Sequence, residues 1–159
     1  MDSDATRFRQ ALGAYPTGVA VVTTALPGGD AAAITINSFA SVSLRPCLLL
    51  WSLGDQSDAY EIFSTAELWG VSVLGAEDGA LAALYAANGR PPVAAADLRP
   101  LGGAPVLARA LAAFGCRTHE RRVMGDHLLI VGEARDFSVR TGPALSFFRG
   151  HFGAAGEAL

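Results

Sequence analysis

Residues 19–25 (VAVVTTA) and 32–38 (AAITINS), separated by Pro27-Gly28-Gly29-Asp30, are the stretch on which the fold turns. The first run is β-branched and apolar, which predicts a buried strand. Pro-Gly-Gly-Asp reads as a turn, and the second run as a returning strand, so 19–38 is a hairpin. Outward from it, 47–53 (CLLLWSL) and 68–74 (LWGVSVL) read as further strands. Residues 110–123 and 127–139 read as two long strands joined at Met124-Gly125-Asp126, and 145–152 as a short final strand. Helices are few. Residues 3–14 form one, capped by Ser3 or Asp4 and ended by Tyr15-Pro16-Thr17-Gly18. Residues 57–65 and 77–88 form two more. Residues 89–105, with Pro91, Pro92, Pro100, Pro105, Gly102 and Gly103, predict a long loop. The expected fold class is therefore mainly β, a β-barrel with a few short helices, in one domain over 1–159. The strand–helix alternation of a doubly wound sheet is missing, and no GxGxxG follows the first strand.

Composition narrows the function. The chain has 159 residues, 51% hydrophobic and 17% charged, which excludes a disordered protein. Apolar side chains exceed one small core, so part of the surface is expected to meet a partner subunit. A net charge of −3 argues against nucleic acid as a partner. All 12 basic residues are arginine, so neither a Schiff-base lysine nor a P-loop lysine is available. Cys47 and Cys116 are too far apart for a CxxC motif and suggest free thiols in a reducing compartment. MDSDATRFRQ lacks the apolar core of a signal peptide, and no apolar run reaches the ~20 residues of a membrane span. The expected location is cytoplasmic, with no membrane partner.

Chemistry concentrates in Thr35-Ile36-Asn37-Ser38-Phe39-Ala40-Ser41-Val42-Ser43-Leu44-Arg45-Pro46. Strand alternation would point Thr35, Asn37 and Phe39 one way, and Ile36 and Ser38 the other. Ser41-Val42-Ser43 follows near a turn. Short amides and hydroxyls beside an apolar wall suit a flat polar heterocycle. The alternative is a turn in which Ser and Asn bond their own backbone. A metal site has no ligand spacing to support it, and no Gly-x-Ser-x-Gly is present.

Three segments carry a resemblance. They are Phe8 with Pro16-Thr17-Gly18-Val19-Ala20-Val21-Val22-Thr23-Thr24, then Thr35-x-Asn37-Ser38-Phe39-x-Ser41-Val42-Ser43-Leu44-x-Pro46, then Gly125-Asp126-His127 with Gly132-Glu133. In order and spacing, from about residue 7 to residue 152, the chain resembles the short-chain flavin reductase family. These are the small reductase components of two-component flavin monooxygenases. The resemblance implies a split β-barrel of the FMN-binding type, with flavin at a homodimer interface. It implies hydride transfer from NADH or NADPH to FMN or FAD, and release of the reduced flavin to a partner monooxygenase. It places Thr35, Asn37 and Ser38 beside the isoalloxazine, and Ala40, Ser41, Val42 and Ser43 on its pyrimidine edge or ribityl chain. Ser57 falls where the family has a phosphate-contacting hydroxyl. His127 lies near the ring and the nicotinamide pocket, as the catalytic candidate. Phe152 packs near the flavin or caps the nicotinamide stack.

Some features depart from that pattern. Asp55 and Asp58 flank Ser57 with no Arg or Lys beside them in sequence, and carboxylates oppose a phosphate. Cys47 stands where a second Pro is common and reads as a buried small hydrophobe. Arg90, Arg99 and Arg149 are the candidates for a 2′-phosphate. Two other readings stay open on the same barrel: an oxidase like pyridoxamine phosphate oxidase, and a flavin-binding protein without reductase activity.

Overall fold

The computed structural model describes residues 3–156. Its elements are α1 (Asp4–Leu12), β1 (Thr17–Gly18), β2 (Ala20–Ala25), β3 (Ala31–Ile36), β4 (Ala40–Leu44), β5 (Cys47–Gly54), α2 (Tyr60–Thr65), β6 (Leu68–Val73) and α3 (Gly79–Ala86). A 3₁₀ turn (Ala95–Asp97) leads to β7 (Leu98–Leu101), β8 (Ala104–Leu107), β9 (Ala112–Met124), β10 (His127–Val139), β11 (Ala144–Phe148) and β12 (His151–Ala155). Strand accounts for 51% and helix for 17%, so the mainly β expectation holds.

Seven strands form one antiparallel sheet in the order β3-β2-β6-β9-β10-β5-β4. Its two edge strands, β3 and β4, are consecutive in the chain, with only Asn37-Ser38-Phe39 between them. Laid flat, seven strands would hold their edges about 29 Å apart, six spacings of ~4.8 Å. The four Cα steps from Ile36 to Ala40 span at most about 14 Å. The sheet must therefore roll until its edges approach at that link. No ladder joins β3 to β4, so the sheet is not closed.

Burial follows from the roll. Ala20, Val22, Trp51, Trp69, Val71 and Ile130 point inward. Phe63 of α2 plugs this interior, edge-on to Trp51 at 5.5 Å between centroids, and Trp51 meets Trp69 at 6.0 Å. Val19, Val21, Ala31 and Ala33 point outward and are covered by Ala82 and Tyr85 of α3 and by Leu101 and Val106 of β7–β8. Both faces of β2 are thus buried, which is why residues 19–25 read as a continuous apolar run. Gly132 of β10 lies so close to the Trp69 ring that a Cβ there would overlap it. A three-stranded sheet, β1-β11-β12, and the β7–β8 hairpin complete the fold. Among the described residues, no helix is long and apolar enough to cross a membrane.

Several expectations need correction. The long loop predicted over 89–105 contains the β7–β8 hairpin, in which Pro100 and Pro105 face each other across a Gly102-Gly103 turn with positive φ at both glycines. Two prolines read as breakers but are tolerated in a short hairpin. The stretch 41–43 is the middle of strand β4, with a bulge between Ser41 and Ser43. The single strand over 145–152 is the β11–β12 hairpin. Helix α2 begins at Tyr60, three residues after Ser57. Cys47 is exposed, its thiol donating to the Leu44 carbonyl at 3.4 Å.

Candidate active site

The link between β3 and β4 is held by a serine. The Ser38 hydroxyl accepts from the Ser52 N–H at 3.0 Å and donates to the Ser52 carbonyl at 3.4 Å. Ala40 pairs with Leu50 in the β4–β5 ladder, so residue 52 is the next partner along for residue 38. The Ser38 side chain therefore extends the ladder where the backbone has already turned away. Phe39 then packs against the inner core, with its ring 5.6 Å from that of Phe114. The Thr35 hydroxyl points elsewhere, donating to the Ala82 carbonyl of α3 at 2.8 Å. The expected common face of Thr35, Asn37 and Phe39 is lost because β3 ends at Ile36.

Asn37 is exposed and borders two cavities, of about 210 and 610 Å³. The larger lies within the ~300–1,000 Å³ of small-molecule sites. Asn37, Ser38, Phe39 and Ala40 supply part of its wall. Tyr15 and Phe147 add apolar surface, and Arg9 and Arg149 add two positive charges. Ala40, Ser41 and Val42 are exposed on the outer edge of the sheet. The Ser43 hydroxyl is committed to the Arg45 N–H at 3.2 Å.

Ser57 sits in the turn after β5, accepting the Ala59 N–H on its hydroxyl at 3.2 Å. The acid beside it is not left unpaired. Asp58 accepts the Gly89 N–H at 2.8 Å and pairs with Arg90 at 2.5 Å. Arg90, its side chain only 8% exposed, also donates to the carbonyls of Ala33 at 2.8 Å and Ala87 at 2.6 Å. The sequence shows no basic residue near Ser57; folding brings one from 33 positions along the chain. The Gly89 N–H and then the Arg90 charge hold the Asp58 carboxyl below its ordinary range.

His127 opens β10 opposite Gly54 of β5. Its Nδ1–H donates to the Asp126 carboxylate at 2.7 Å, which leaves Nε2 toward Gly54. This hydrogen bond is the first cause that lowers the Asp126 carboxyl, and Arg9 of α1 adds to it, so α1 lies within electrostatic reach of this turn. Ser38 meets β5 at Ser52, two residues before Gly54. Two strand spacings across and two residues along separate Ser38 from His127 by about 12 Å. Phe152, partly exposed, contacts the ring of Phe147 at 5.6 Å.

Folding thus gathers Asn37, Ser38 and Ala40 on one cavity. It sets His127 and Ser57 at the neighbouring end of β5 and Phe152 behind Phe147. Thr35 and Ser43 spend their hydroxyls on the backbone. Sequence reasoning missed Arg9, Tyr15 and Phe147 as cavity residues and Arg90 as the partner of Asp58. Arg149 was considered from sequence for a 2′-phosphate and not for this cavity. Among the described residues, no group of three His, Cys, Asp or Glu side chains could hold a metal ion.

Comparison with known proteins resolves the family. The model of the flavin reductase like domain matches residues 12–156. The chain belongs to this family. Among its relatives is the FMN reductase (NADH) SmoA of Agrobacterium fabrum, 44% identical over 149 residues, covering 92% of this chain and 83% of that one. Among solved structures, the flavin reductase PheA2 superposes with a TM-score of 0.88 at 33% identity, covering 98% of this chain and 100% of its own. The styrene monooxygenase flavin reductase SMOB of Pseudomonas putida S12 gives 0.86 at 28% identity, covering 96% and 99%. These flavin reductases match the chain over nearly its full described length.

Proposed function

We propose that this chain is an NADH- or NADPH-dependent flavin reductase that passes a hydride to FMN or FAD and releases the reduced flavin to a separate monooxygenase. The observation that carries the reading is the cavity at the β3–β4 link, in a chain whose family and relatives are flavin reductases. The residues present fit a flavin. The exposed Asn37 amide offers a donor and an acceptor, the outer edge of β4 offers unpaired backbone groups, and Phe39, Tyr15 and Phe147 supply apolar surface. Bound flavin supplies a ring that accepts hydride from the nicotinamide.

The chain's own work is binding and alignment, since hydride transfer between two aligned rings needs little acid–base assistance. Asn37 and Ser38 border the ring, and Thr35 contributes through its backbone beside them. Ala40, Ser41, Val42 and Ser43 present backbone groups to the pyrimidine edge or ribityl chain. Ser57 meets the phosphate, with the Asp58 charge offset by Arg90. His127, its Nδ1 fixed by Asp126, offers Nε2 toward the nicotinamide or the negative charge on the reduced ring. Phe152 backs Phe147 at the wall of the cavity.

The same surface supports a homodimer. Val42 and Leu44 are 48% and 84% exposed on an unpaired sheet edge, a feature natural proteins cover. The rolled sheet, open between β3 and β4, supports a split barrel as the family resemblance implies. The reading places the protein in the cytoplasm, where Cys47 and Cys116 stay as thiols.

The test is steady-state oxidation of NADH and of NADPH by the purified protein with FMN and with FAD. Many turnovers per chain with at least one pair are expected. A tightly yellow protein that never bleaches with either nucleotide would instead support a binding role.

A further inference from the structure

The cavity at the β3–β4 link has a neighbour. A second space, of about 620 Å³, opens beneath α1 and is lined by Thr6, Gln10 and Ala14. The two spaces share Arg9, Gly13, Phe147 and Arg149. Two chambers of similar size thus meet at two arginines. Among the described residues, neither arginine forms an ion pair. Both guanidiniums keep donors for an anion.

Arg149 also occupies a backbone position that disfavours a side chain. It lies in the β11–β12 turn with φ of 49°, and among the described residues it is the one non-glycine with positive φ. Such a turn favours Gly, Asn or Asp, and an arginine there is strained. Its N–H donates to the Gly13 carbonyl at 3.0 Å, a bond any residue would make. The guanidinium is what the strained position supplies. Of the three arginines considered from sequence for a nucleotide phosphate, Arg90 is bound to Asp58 and Arg99 to Ser138, which leaves Arg149 at the cavity.

We infer that Arg9 and Arg149 form the diphosphate site of the nicotinamide dinucleotide. The nicotinamide half stacks on the flavin ring in the chamber walled by Asn37–Ala40, and the adenosine half occupies the chamber beneath α1. A dinucleotide is two heterocycles joined through a diphosphate, which is the chemistry that two chambers meeting at paired guanidiniums match. This assignment rests on the reading of the chain as a nicotinamide-dependent flavin reductase. FAD carries the same diphosphate, so FMN is the acceptor of choice in the test.

Arg149→Gly and Arg9→Gln are the variants. Arg149→Gly relieves the turn, and α1 buries no residue, so both fold. With FMN as acceptor, each raises KM for NADH about tenfold, the loss of one charge-assisted hydrogen bond, and raises KM for FMN by a clearly smaller factor. Calorimetric binding of ADP-ribose, which has the diphosphate but no nicotinamide, weakens by a similar factor. Unchanged ADP-ribose binding in both variants, or none to the wild-type chain, overturns the assignment. So does a rise confined to FAD or to NADPH, which would give the arginines to the flavin or to a 2′-phosphate. If the wild-type chain reduces no flavin yet binds ADP-ribose through both arginines, the reductase reading fails and the diphosphate site stands.

Discussion

Replacing Ser38 by alanine removes the side chain that hydrogen-bonds the β3–β4 link to β5. The hydroxyl gives up a 3.0 Å bond from the Ser52 N–H and a weaker 3.4 Å bond to the Ser52 carbonyl. The first is worth about 1 kcal/mol net, and the orphaned N–H adds a desolvation cost of about 1–3 kcal/mol when buried. The site is only part-buried, so water offsets most of the second amount. A loss of about 1.5 kcal/mol results. For a domain of this length each kcal/mol moves Tm by about 2–4 °C, so Tm should fall by roughly 3–6 °C. The seat of Asn37 loosens with it, and KM for flavin should rise several-fold. Thermal unfolding without ligand isolates the structural part, and Ser38→Thr, which keeps the hydroxyl, should recover most of it. A Tm within 1 °C of wild type would refute the argument that Ser38 extends the β4–β5 ladder.

Three further outcomes are expected. His127→Ala should lower kcat about tenfold or more while KM for flavin moves less than threefold, within the range of single positioning groups; equal effects on both would remove His127 from the nicotinamide side. The Asp58 carboxyl is depressed below its ordinary 3.8 by Gly89 and Arg90, so its contribution to stability is complete above that pH and is lost as pH falls through the lower, folded value. Acid unfolding monitored from pH 5 to pH 2 should show a shallower loss below about pH 4 in Asp58→Asn than in wild type, and identical slopes would contradict the pairing. Cys116 is buried with its thiol pushed up to about 12, whereas Cys47 is exposed. A thiol reagent at neutral pH should therefore modify one cysteine per native chain, at Cys47, as read by mass spectrometry of peptides.

The fold was legible where side-chain chemistry repeats at short range. β2, β5, β6, β9 and β10 announce themselves through β-branched or apolar runs, and their ends fall within a few residues of the expected ones. β4 was hidden because an exposed edge strand rich in serine has no buried face to impose alternation. The β7–β8 hairpin was hidden by its prolines, although Gly102-Gly103 is itself a hairpin signal. At the site, Asn37, Ser38 and Ala40 were readable because they are contiguous. Arg9 and Phe147 were not, and Arg149 was readable only as a candidate for a 2′-phosphate, because the pairing of β1 with β11, which sets Thr17 opposite Phe147, is what brings this region to the link. The Arg90–Asp58 pair is likewise a product of the fold, invisible to any local pattern.

Asn37→Ala probes whether the β3–β4 link holds the flavin. The side chain is exposed, so its removal should leave Tm within about 1 °C. Losing one ring-directed hydrogen bond of about 1 kcal/mol should raise KM for FMN roughly three- to tenfold, measured by NADH oxidation at saturating NADH. A KM for FMN equal to that of wild type, in an active and folded variant, would contradict the placement of the flavin at this link.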